Sequence, residues 1–259
     1  PHVILAAWNV NSLTIRLPRL LPWLEAARPD IVCLQETKLE DAKFPVQAIA
    51  DAGYAAHFCG QKTYNGVAIL ARRDLAVEDV RMGIDGFADE QKRVIAATVA
   101  GIRVVGVYVP NGQSVGSDKY QYKLAWYAAL TEMMRGELTR HANVAVAGDF
   151  NVARTELDVH PALRTRGLGQ SERERARIEA LFGYGLVDVA RRVAPDDDRL
   201  FTWWAPWRDH RVRNLGWRLD YVAASTGLVD ETVHCVTYRD VGTSDHGPVI
   251  AHLRDAPAG

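Results

Sequence analysis

Residues 144–151 have the sequence Val-Ala-Val-Ala-Gly-Asp-Phe-Asn, in which a run of small apolar residues ends in a carboxylate and an amide. A short apolar run of this kind is typical of a buried β-strand. The polar residues beside it therefore lie where a strand meets the edge of a sheet. Similar junctions of apolar and polar residues occur at 3–11, 31–36, 217–221 and 244–250. Five strand ends that carry polar side chains predict an active site.

Four of these junctions contribute the acidic residues Glu36, Asp149, Asp220 and Asp245. Gathering four anions is unfavourable, because desolvated carboxylates repel one another and their pKa values rise. A bound cation offsets this repulsion. Oxygen donors with one histidine and no cysteine suit Mg²⁺, or Mn²⁺ as a substitute, and not structural zinc. Because Mg²⁺ needs only one or two protein carboxylates, Glu36 is expected to hold it while other acids transfer protons.

The composition limits the class of protein. A chain of 259 residues that is 48% hydrophobic is long enough for one large core or two small ones, and no Pro, Gly and Ser-rich linker divides it. We predict one domain over residues 1–253 and a loose tail over 254–259. Three cysteines without C-x-x-C spacing indicate buried thiols in a reducing compartment. The sequence contains no bilayer-length apolar run and no signal-peptide pattern, so we expect a cytoplasmic protein that does not bind membranes.

Helical and strand patterns are mixed along the chain. The apolar residues at 17–24 and at 124–138 have helical spacing. Strands are predicted at 54–59, 66–71, 94–99, 102–108, 199–204, 217–224 and 248–253. Short glycine-containing turns such as Ala100-Gly101 favour antiparallel pairing. The pattern predicts an α/β fold in which packed sheets are flanked by helices.

Two junctions carry residues suited to phosphate chemistry. Asp149 and Asn151 lie on one side of an extended segment, so Asp149 is expected to orient and deprotonate a water while Asn151 donates to a phosphate oxygen. The alternative is that these two residues only form a turn. His246, paired with an acid such as Asp220, would stay protonated and stabilise an anionic phosphorus centre. A histidine without that acid is more often a core residue.

The remaining polar features leave more alternatives open. Tyr108 ends an apolar run, where its phenol either donates to phosphate or rests at the surface. The net charge of −1 argues weakly against a nucleic-acid partner. Arginines nevertheless cluster at 164–177 and 208–218. These clusters form either a basic binding surface or two ordinary solvated faces. Trp207 lies among the basic residues of the second cluster, which favours a loop residue.

Taken together, these residues resemble the exonuclease III family of apurinic/apyrimidinic (AP) endonucleases, within the endonuclease/exonuclease/phosphatase superfamily. The resemblance covers about residues 3 to 253, and its motifs appear in the family's order. They are Trp8-Asn9-Val10-Asn11, Leu34-Gln35-Glu36-Thr37-Lys38, Tyr108-Val109-Pro110-Asn111, Gly148-Asp149-Phe150-Asn151, Gly216-Trp217-Arg218-Leu219-Asp220-Tyr221 and Ser244-Asp245-His246.

The resemblance implies a fold and a set of activities. The fold is a four-layered α/β sandwich, with two mixed β-sheets packed face to face and helices on the outside. The activity is Mg²⁺-dependent incision 5′ to abasic sites, with 3′-phosphatase, 3′-phosphodiesterase and 3′-to-5′ exonuclease activities. The implied partner is double-stranded DNA with abasic sites or blocked 3′ ends. A cytoplasmic monomer that associates with the nucleoid through DNA is expected.

The resemblance also implies roles for individual residues. The catalytic residues are Asn9, Tyr108, Asp149, Asn151, Asp220 and His246. The candidate metal ligands are Asn11, Glu36, Asp149, Asn151, Asp245 and His246. The candidate DNA contacts are Asn111, Trp203, Trp207, Arg208, Arg211, Trp217 and Leu219. Among these, Trp203, Trp217 and Leu219 would wall a pocket for an abasic sugar, or else the tryptophans belong to the core, as Trp204 is expected to do.

The chain departs from some family members at two places. Asn11 stands where the animal enzymes have aspartate, which leaves fewer anions around the metal. The loop 159–166 lacks the asparagines that some members use for DNA, although its arginines are available instead. Two other functions remain open: a superfamily phosphoesterase that acts on 3′-blocked ends or on a non-DNA phosphate ester, and a non-enzymatic DNA-binding module.

Overall fold

The computed structural model describes residues 2–207, 209–231 and 233–256. Its strands are β1 (His2–Asn9), β2 (Ile31–Gln35), β3 (Tyr54–Cys59), β4 (Val67–Arg72), β5 (Val77–Met82), β6 (Val94–Val99), β7 (Ile102–Tyr108), β8 (Val144–Asp149), β9 (Leu186–Asp188), β10 (Asp220–Ser225), β11 (His234–Thr237) and β12 (Val249–Arg254). Its α-helices are α1 (Leu13–Ala27), α2 (Val46–Asp51), α3 (Asp118–Arg140), α4 (Glu172–Phe182) and α5 (Val189–Val193).

The strands form two six-stranded sheets with related topologies. The first has the order β11-β12-β1-β2-β4-β3, and the second has the order β5-β6-β7-β8-β10-β9. Each sheet contains one parallel pair, β1 with β2 and β7 with β8, while the other neighbours are antiparallel. The carboxyl ends of both parallel pairs, and the first residues of β10 and β12, lie at one end of the molecule.

The sheets pack face to face, and both are covered by helices. Leu5 and Cys33 of the first sheet share one core cluster with Val104 and Val222 of the second. On the outer face of the first sheet, α1 packs its leucines against β1 and β2. On the outer face of the second sheet, α3 and α4 cover β7 and β8. The four-layered α/β sandwich with two mixed sheets is therefore confirmed. Because their strands are covered on both faces, β2 and β8 have continuous apolar sequences.

Several predicted elements have different bounds. The predicted strand at 199–204 is wrong, because Trp203 makes only isolated bridges, to Trp217 and to His246. The strand predicted at 217–224 begins at Asp220. Gly216 explains the irregular path, since a Cβ there would lie 2.6 Å from the indole nitrogen of Trp204. The last strand includes Arg254, which the sequence prediction had assigned to a loose tail, and residues 257–259 lie outside the described residues.

Three strands were not predicted from the sequence. Strand β5 is mostly exposed and rich in charged residues, so it lacks the apolar run of a buried strand. Strands β9 and β11 have three and four residues, which is too short for a clear alternation. All three lie at sheet edges, where fewer side chains are buried.

The three cysteines are free and buried, as predicted. Burial raises the pKa of Cys33 to about 12, which leaves its thiol protonated and unreactive. Within the described residues, no helix combines the length and the apolar character that crossing a membrane requires.

Candidate active site

The polar strand ends converge on a cavity of about 490 Å³ at the edge shared by the two sheets. Its lining residues come from both sheets and from the loops that follow them: Glu36, Tyr108, Asn111, Asp149, Asn151, Leu168, Gly169, Trp203, Trp217, Leu219, Asp245 and His246. Most of the residues predicted from the sequence are thus brought together. Asn9 and Asp220 lie behind the cavity wall as hydrogen-bond partners of its residues.

Asn9 connects the two sheets at the centre of the site. It is the last residue of β1 and is fully buried. Its amide nitrogen donates to Glu36 Oε2 at 2.5 Å and to Asp149 Oδ2 at 2.9 Å. Glu36 follows the first sheet and Asp149 ends β8 of the second. The two carboxylates are therefore held together by a neutral donor, which offsets part of their repulsion.

Three of the predicted site residues have a left-handed backbone. Asn11, Glu36 and Asn151 have φ values of 44°, 53° and 50°. Asparagine adopts this conformation at modest cost, but for glutamate it is unfavourable. Such strain is common where a side chain must be aimed at a functional site. Here it turns each side chain out of the strand direction and towards the shared edge.

His246 and Asp220 form a buried pair, as predicted. Nδ1 of His246 lies 2.8 Å from Asp220 Oδ2, and Nε2 lies 3.6 Å from Asp149 Oδ2. Burial alone would lower the pKa of His246, but the charges of Asp220 and Asp149 outweigh it and raise the pKa to about 10. The imidazole is therefore protonated at neutral pH. Its Nδ1 is paired with Asp220, and its Nε2 proton points away from that pair, towards the cavity.

Asp149 is an acid that is buried beside other acids, so its surroundings disfavour its charged form. Burial raises its pKa to about 7, and the charges of Asp220 and Glu36 add to this, while His246 and Asn9 oppose it. A carboxyl group with such a pKa can release and accept a proton near neutral pH. Oδ1 of Asp149 also accepts from the backbone N–H of Asn151 at 2.9 Å, which fixes the carboxylate orientation.

The donors fit a hard divalent cation. Among the described residues, Glu36, Asp149 and His246 form the group of metal-binding side chains, with one ligand atom from each lying within 4.8 Å of the others. Because His246 is protonated by its pairing with Asp220, the two carboxylates are the better ligands. Two acidic oxygen donors with space for a phosphate correspond to the usual protein contribution to a Mg²⁺ site.

The other three candidate ligands have further hydrogen bonds. Asn11 Oδ1 accepts from Lys38 Nζ at 2.7 Å, and its amide nitrogen donates to Asp245 Oδ1 at 3.2 Å. Asp245 Oδ2 accepts from Trp203 Nε1 at 3.1 Å. Asn151 donates to the Val109 carbonyl at 2.7 Å. Asn11 and Asp245 thus lie at the rim, beside Glu36 and not within its cluster.

The predicted pocket walls lie together on one side of the carboxylates. The rings of Trp203 and Trp217 are perpendicular, with centroids 5.6 Å apart, and Leu219 completes the wall. Gly169 also lines the cavity and packs against Trp217, since a Cβ there would lie 2.8 Å from the Trp217 ring. Trp204 is buried, as predicted.

The loop after Trp204 contains both exposed and anchored candidates for DNA contact. The Trp207 side chain is 59% exposed. Arg211 instead donates to the carbonyl of Gly242 at 3.0 Å and to that of Ser244, and its guanidinium lies over the Trp204 ring. Arg208 lies outside the described residues.

Sequence reasoning missed three charged residues that support the site. Lys38 lies 3.7 Å from Glu36, and Arg93 lies over the Tyr108 ring. Lys123 is completely buried and donates to the carbonyls of Asn111 and Asn151 at 3.1 and 2.7 Å. The sequence carried a signal for Lys123, because it falls on the apolar stripe of a predicted helix, where a charged residue needs a buried partner.

That partner is Glu174 of α4, whose carboxylate lies 2.5 Å from Lys123 Nζ. Glu174 also accepts from the backbone N–H of Gly169 at 2.9 and 3.0 Å and from the Ser171 hydroxyl at 2.7 Å. The buried pair therefore connects the two outer helices to the loops that carry Asn111, Asn151 and Gly169.

Comparison with known proteins agrees with this geometry. The model of the endonuclease/exonuclease/phosphatase family matches residues 6–246. The exodeoxyribonuclease of Bacillus subtilis is 32% identical over 248 residues, which cover 95% of this chain and 97% of that protein.

Two solved structures are also similar over nearly their whole length. The 3′ phosphatase NExo from Neisseria, bound to product DNA hairpin, has a TM-score of 0.91 and 39% identity, with 97% of this chain and 99% of that chain covered. An AP endonuclease from Archaeoglobus fulgidus has a TM-score of 0.88 and 34% identity, with the same coverage. The chain therefore belongs to the endonuclease/exonuclease/phosphatase family, within its exonuclease III branch of nucleases.

Proposed function

We propose that this protein is a Mg²⁺-dependent DNA-repair phosphodiesterase that incises double-stranded DNA 5′ to abasic sites. We also propose 3′-phosphatase, 3′-phosphodiesterase and 3′-to-5′ exonuclease activities at the same site. The observation that carries the proposal is the meeting of Glu36, Asp149 and His246 within 4.8 Å, beside a cavity walled by two tryptophans.

Glu36 and Asp149 would hold the metal, with Asn11 and Asp245 at its rim. The donor chemistry supports this: burial, and with it the charges of Asp220 and Glu36, raises the pKa of Asp149, and a cation would offset both by stabilising its ionised form. A bound divalent ion supplies positive charge to the scissile phosphate and its leaving oxygen. Mn²⁺ offers the same charge and accepts the same oxygen ligands.

Asp149 is assigned to the attacking water. Its carboxylate lies beside Glu36 and His246 and is held in place by the Asn9 amide, where it can orient a water and accept its proton. His246 remains cationic and donates from Nε2 to a phosphate oxygen, where negative charge increases in the transition state. Asp220 fixes the imidazole orientation through Nδ1.

The phosphate contacts are assigned to Tyr108, Asn111 and Asn151. Burial raises the pKa of Tyr108 well above its ordinary value, and the charges of Glu36 and Asp149 add to this effect. The phenol therefore stays protonated and acts as a donor. Asn151 uses one amide proton for the Val109 carbonyl, which leaves the second for the phosphate.

The tryptophan-walled cavity is assigned to the abasic sugar. Trp203, Trp217 and Leu219 leave room for a sugar without a base next to the carboxylates. A normal nucleotide carries a base that such walls exclude by bulk. Trp207 and the adjoining loop, with Arg208 and Arg211, are assigned to the distorted duplex. A monomer in the cytoplasm, associated with the nucleoid when bound to DNA, is part of the proposal.

The second candidate is an enzyme that acts mainly on blocked 3′ ends. The similarity to a Neisseria 3′ phosphatase at 39% identity favours it over a non-DNA phosphate ester. Both candidates use the same residues on a phosphate ester and differ in whether the pocket admits an internal abasic sugar.

One gel distinguishes them. An abasic-site duplex and a nicked duplex with a 3′-phosphate are each incubated with Mg²⁺ and with EDTA. We expect incision of the abasic strand with a 3′-hydroxyl product in Mg²⁺ and no product in EDTA. Removal of the 3′-phosphate without incision would favour the second candidate. Cleavage of an inositol phosphate or a lipid headgroup, without any action on DNA, would contradict both.

A further inference from the structure

A second cavity, of about 450 Å³, lies on the other side of Asp245 from the tryptophan-walled pocket. It is formed between the start of α1 and the loop that follows Trp204, and Asn11, Arg16, His210 and Arg211 line it. The two cavities share Asp245, so a polymer bound in the first has a direct path to the second.

Arg16 has an unusual environment in this cavity. Its side chain is only 9% exposed, yet Nε has no hydrogen-bond partner among the described residues. None of the ion pairs in the described part of the chain involves it, although Arg72, Arg103 and Arg218 all pair with acids. A buried arginine without a counter-ion is strongly unfavourable, so a guanidinium left in this state points to an anionic ligand.

Two more nitrogen-bearing side chains, His210 and Arg211, line the same space. Nδ1 of His210 is buried and also lacks a partner among the described residues. Arg211 is held over Trp204, with its guanidinium 5.2 Å from the ring centroid, and is fixed by two backbone carbonyls. Burial lowers the pKa of Arg211, and the charge of Arg16 contributes in the same direction, while Asp240 and Asp245 oppose it. Arg16 and Arg211 thus place two positive charges on the wall of one cavity.

No acid that lines the cavity forms an ion pair with Arg16 among the described residues, although Asp245 keeps its negative charge and raises the pKa of Arg211. Asp245 accepts hydrogen bonds on both oxygens, from Asn11 and from Trp203. Asp209 is exposed to solvent. Two guanidinium groups and an imidazole match the several oxygens of a phosphate, which accepts from arginines in a planar, bidentate way.

We infer that this cavity binds a backbone phosphate of the substrate DNA strand that neighbours the scissile phosphate. The inference rests on the proposed function, which places the scissile phosphate at Glu36 and His246. Each DNA strand carries one phosphate per about 3.4 Å of helix axis, so a neighbouring phosphate lies within reach of a cavity that adjoins the first at Asp245. Arg16 is then a binding residue that holds the strand, whereas the proton-transfer groups are elsewhere.

The test combines Arg16→Met with a series of abasic duplexes, each carrying one neutral methylphosphonate beside the scissile position. For the parental protein, we expect one position to raise KM about tenfold while kcat changes by less than about twofold. Arg16→Met should raise KM on the unmodified duplex by a similar factor and be insensitive to that same methylphosphonate. Additive losses at every position would overturn the inference.

Stability separates a binding role from a structural one. We expect Arg16→Met to be at least as stable as the parental protein, since it removes an unpaired buried charge. The buried control Arg103→Met should lose stability, because it leaves Glu137, 3.1 Å away, without its partner, and should keep the parental methylphosphonate pattern. An Arg16→Met protein that does not fold would place Arg16 in the core and count against the inference. The same series of methylphosphonate duplexes is then measured with His210→Phe, which removes the ring nitrogens and keeps a ring of similar volume.

Free phosphate has the same chemistry as a backbone phosphate, so a separate experiment must distinguish the two ligands. Inorganic phosphate in EDTA should raise the melting temperature of the parental protein and not that of Arg16→Met. If this occurs but the methylphosphonate losses are additive, the cavity binds free phosphate and the assignment to the DNA strand is wrong. A parental protein that does not incise the unmodified duplex would instead contradict the proposed function.

Discussion

Asn9 is the residue on which the geometry of the site most depends. One amide nitrogen donates to carboxylates from both sheets, and its carbonyl oxygen accepts from the backbone of Asn11 at 3.0 Å. An aspartate at this position would replace a donor by a third buried anion. The neutral amide is therefore what allows two acids to lie close together before any cation binds.

Asp149→Asn tests the assigned base. The variant keeps the side-chain shape but cannot accept a proton, so we expect the rate of incision to fall by ~100-fold or more. Single-turnover assays on an abasic duplex at saturating Mg²⁺ measure it. The exposed acid Asp74, changed to Asn, is the control and should retain the parental rate. Parental cleavage by Asp149→Asn would show that another group handles the water.

The raised pKa of Asp149 predicts a pH-dependent stability without metal. Its folded pKa of about 7 exceeds the ordinary aspartate value of 3.8, so between these values the folded state binds more protons than the unfolded state. Stability of the metal-free protein should fall as pH rises from about 4 to 7. Denaturant unfolding in EDTA at several pH values measures this, and Asp149→Asn should flatten the slope. A slope unchanged by the substitution would assign the titration to another group.

The same pKa predicts how Mg²⁺ affinity changes with pH. Only ionised Asp149 binds the cation, so the affinity should increase about tenfold per pH unit below 7 and level off above it. Calorimetric titration in buffers of different ionisation enthalpy would detect the released proton. An affinity that does not vary between pH 5 and 7 would exclude Asp149 as a ligand.

Among the elements, the buried pair of Lys123 and Glu174 holds α3 and α4 to the loops that carry Asn111, Asn151 and Gly169. Removing one partner leaves a buried charge uncompensated, so Lys123→Met and Glu174→Gln should each lose about 3 to 5 kcal/mol of stability. The double variant should lose less than the sum. Urea unfolding of the four proteins tests this. Strict additivity would mean that the two side chains act independently.

The loop between Trp204 and Gly216 should act on DNA binding alone. Trp207 is exposed and outside the core, so Trp207→Ala should leave stability unchanged. Loss of stacking on a base should raise KM for an abasic duplex about tenfold. The exposed Tyr184, changed to Ala, is a control of similar size on another face. Equal KM values for Trp207→Ala and the parental protein would remove Trp207 from the DNA contacts.

The sequence predicted the elements whose signal is local. Strands such as β2 and β8 are visible as apolar runs, and the polar residues that follow them locate the site. The path of 199–219 was not predictable, because it is determined by packing around Gly216 and by the bridge between Trp203 and Trp217. The roles of Lys38 and Arg16 depend on contacts across the fold, which no spacing along the chain indicates.

In the whole molecule, the site forms only when the two sheets pack against each other. Glu36 follows one sheet and Asp149 ends the other, and they meet only when the cores between and outside the sheets are formed. Cys33, buried between the sheets beside Gly106, reports on that packing. We expect its thiol to react with an alkylating reagent only at the rate of global unfolding. Rapid labelling under native conditions would indicate that the sheets separate locally.

The central claim is that side chains from both sheets hold one divalent ion at the scissile phosphate. Anomalous diffraction from crystals grown with Mn²⁺ and an abasic duplex locates that ion directly. We expect an anomalous peak at the carboxylates of Glu36 and Asp149, with the DNA phosphate on its open side and His246 nearby. A peak elsewhere, or a bound DNA whose phosphate lies away from these residues, would contradict it.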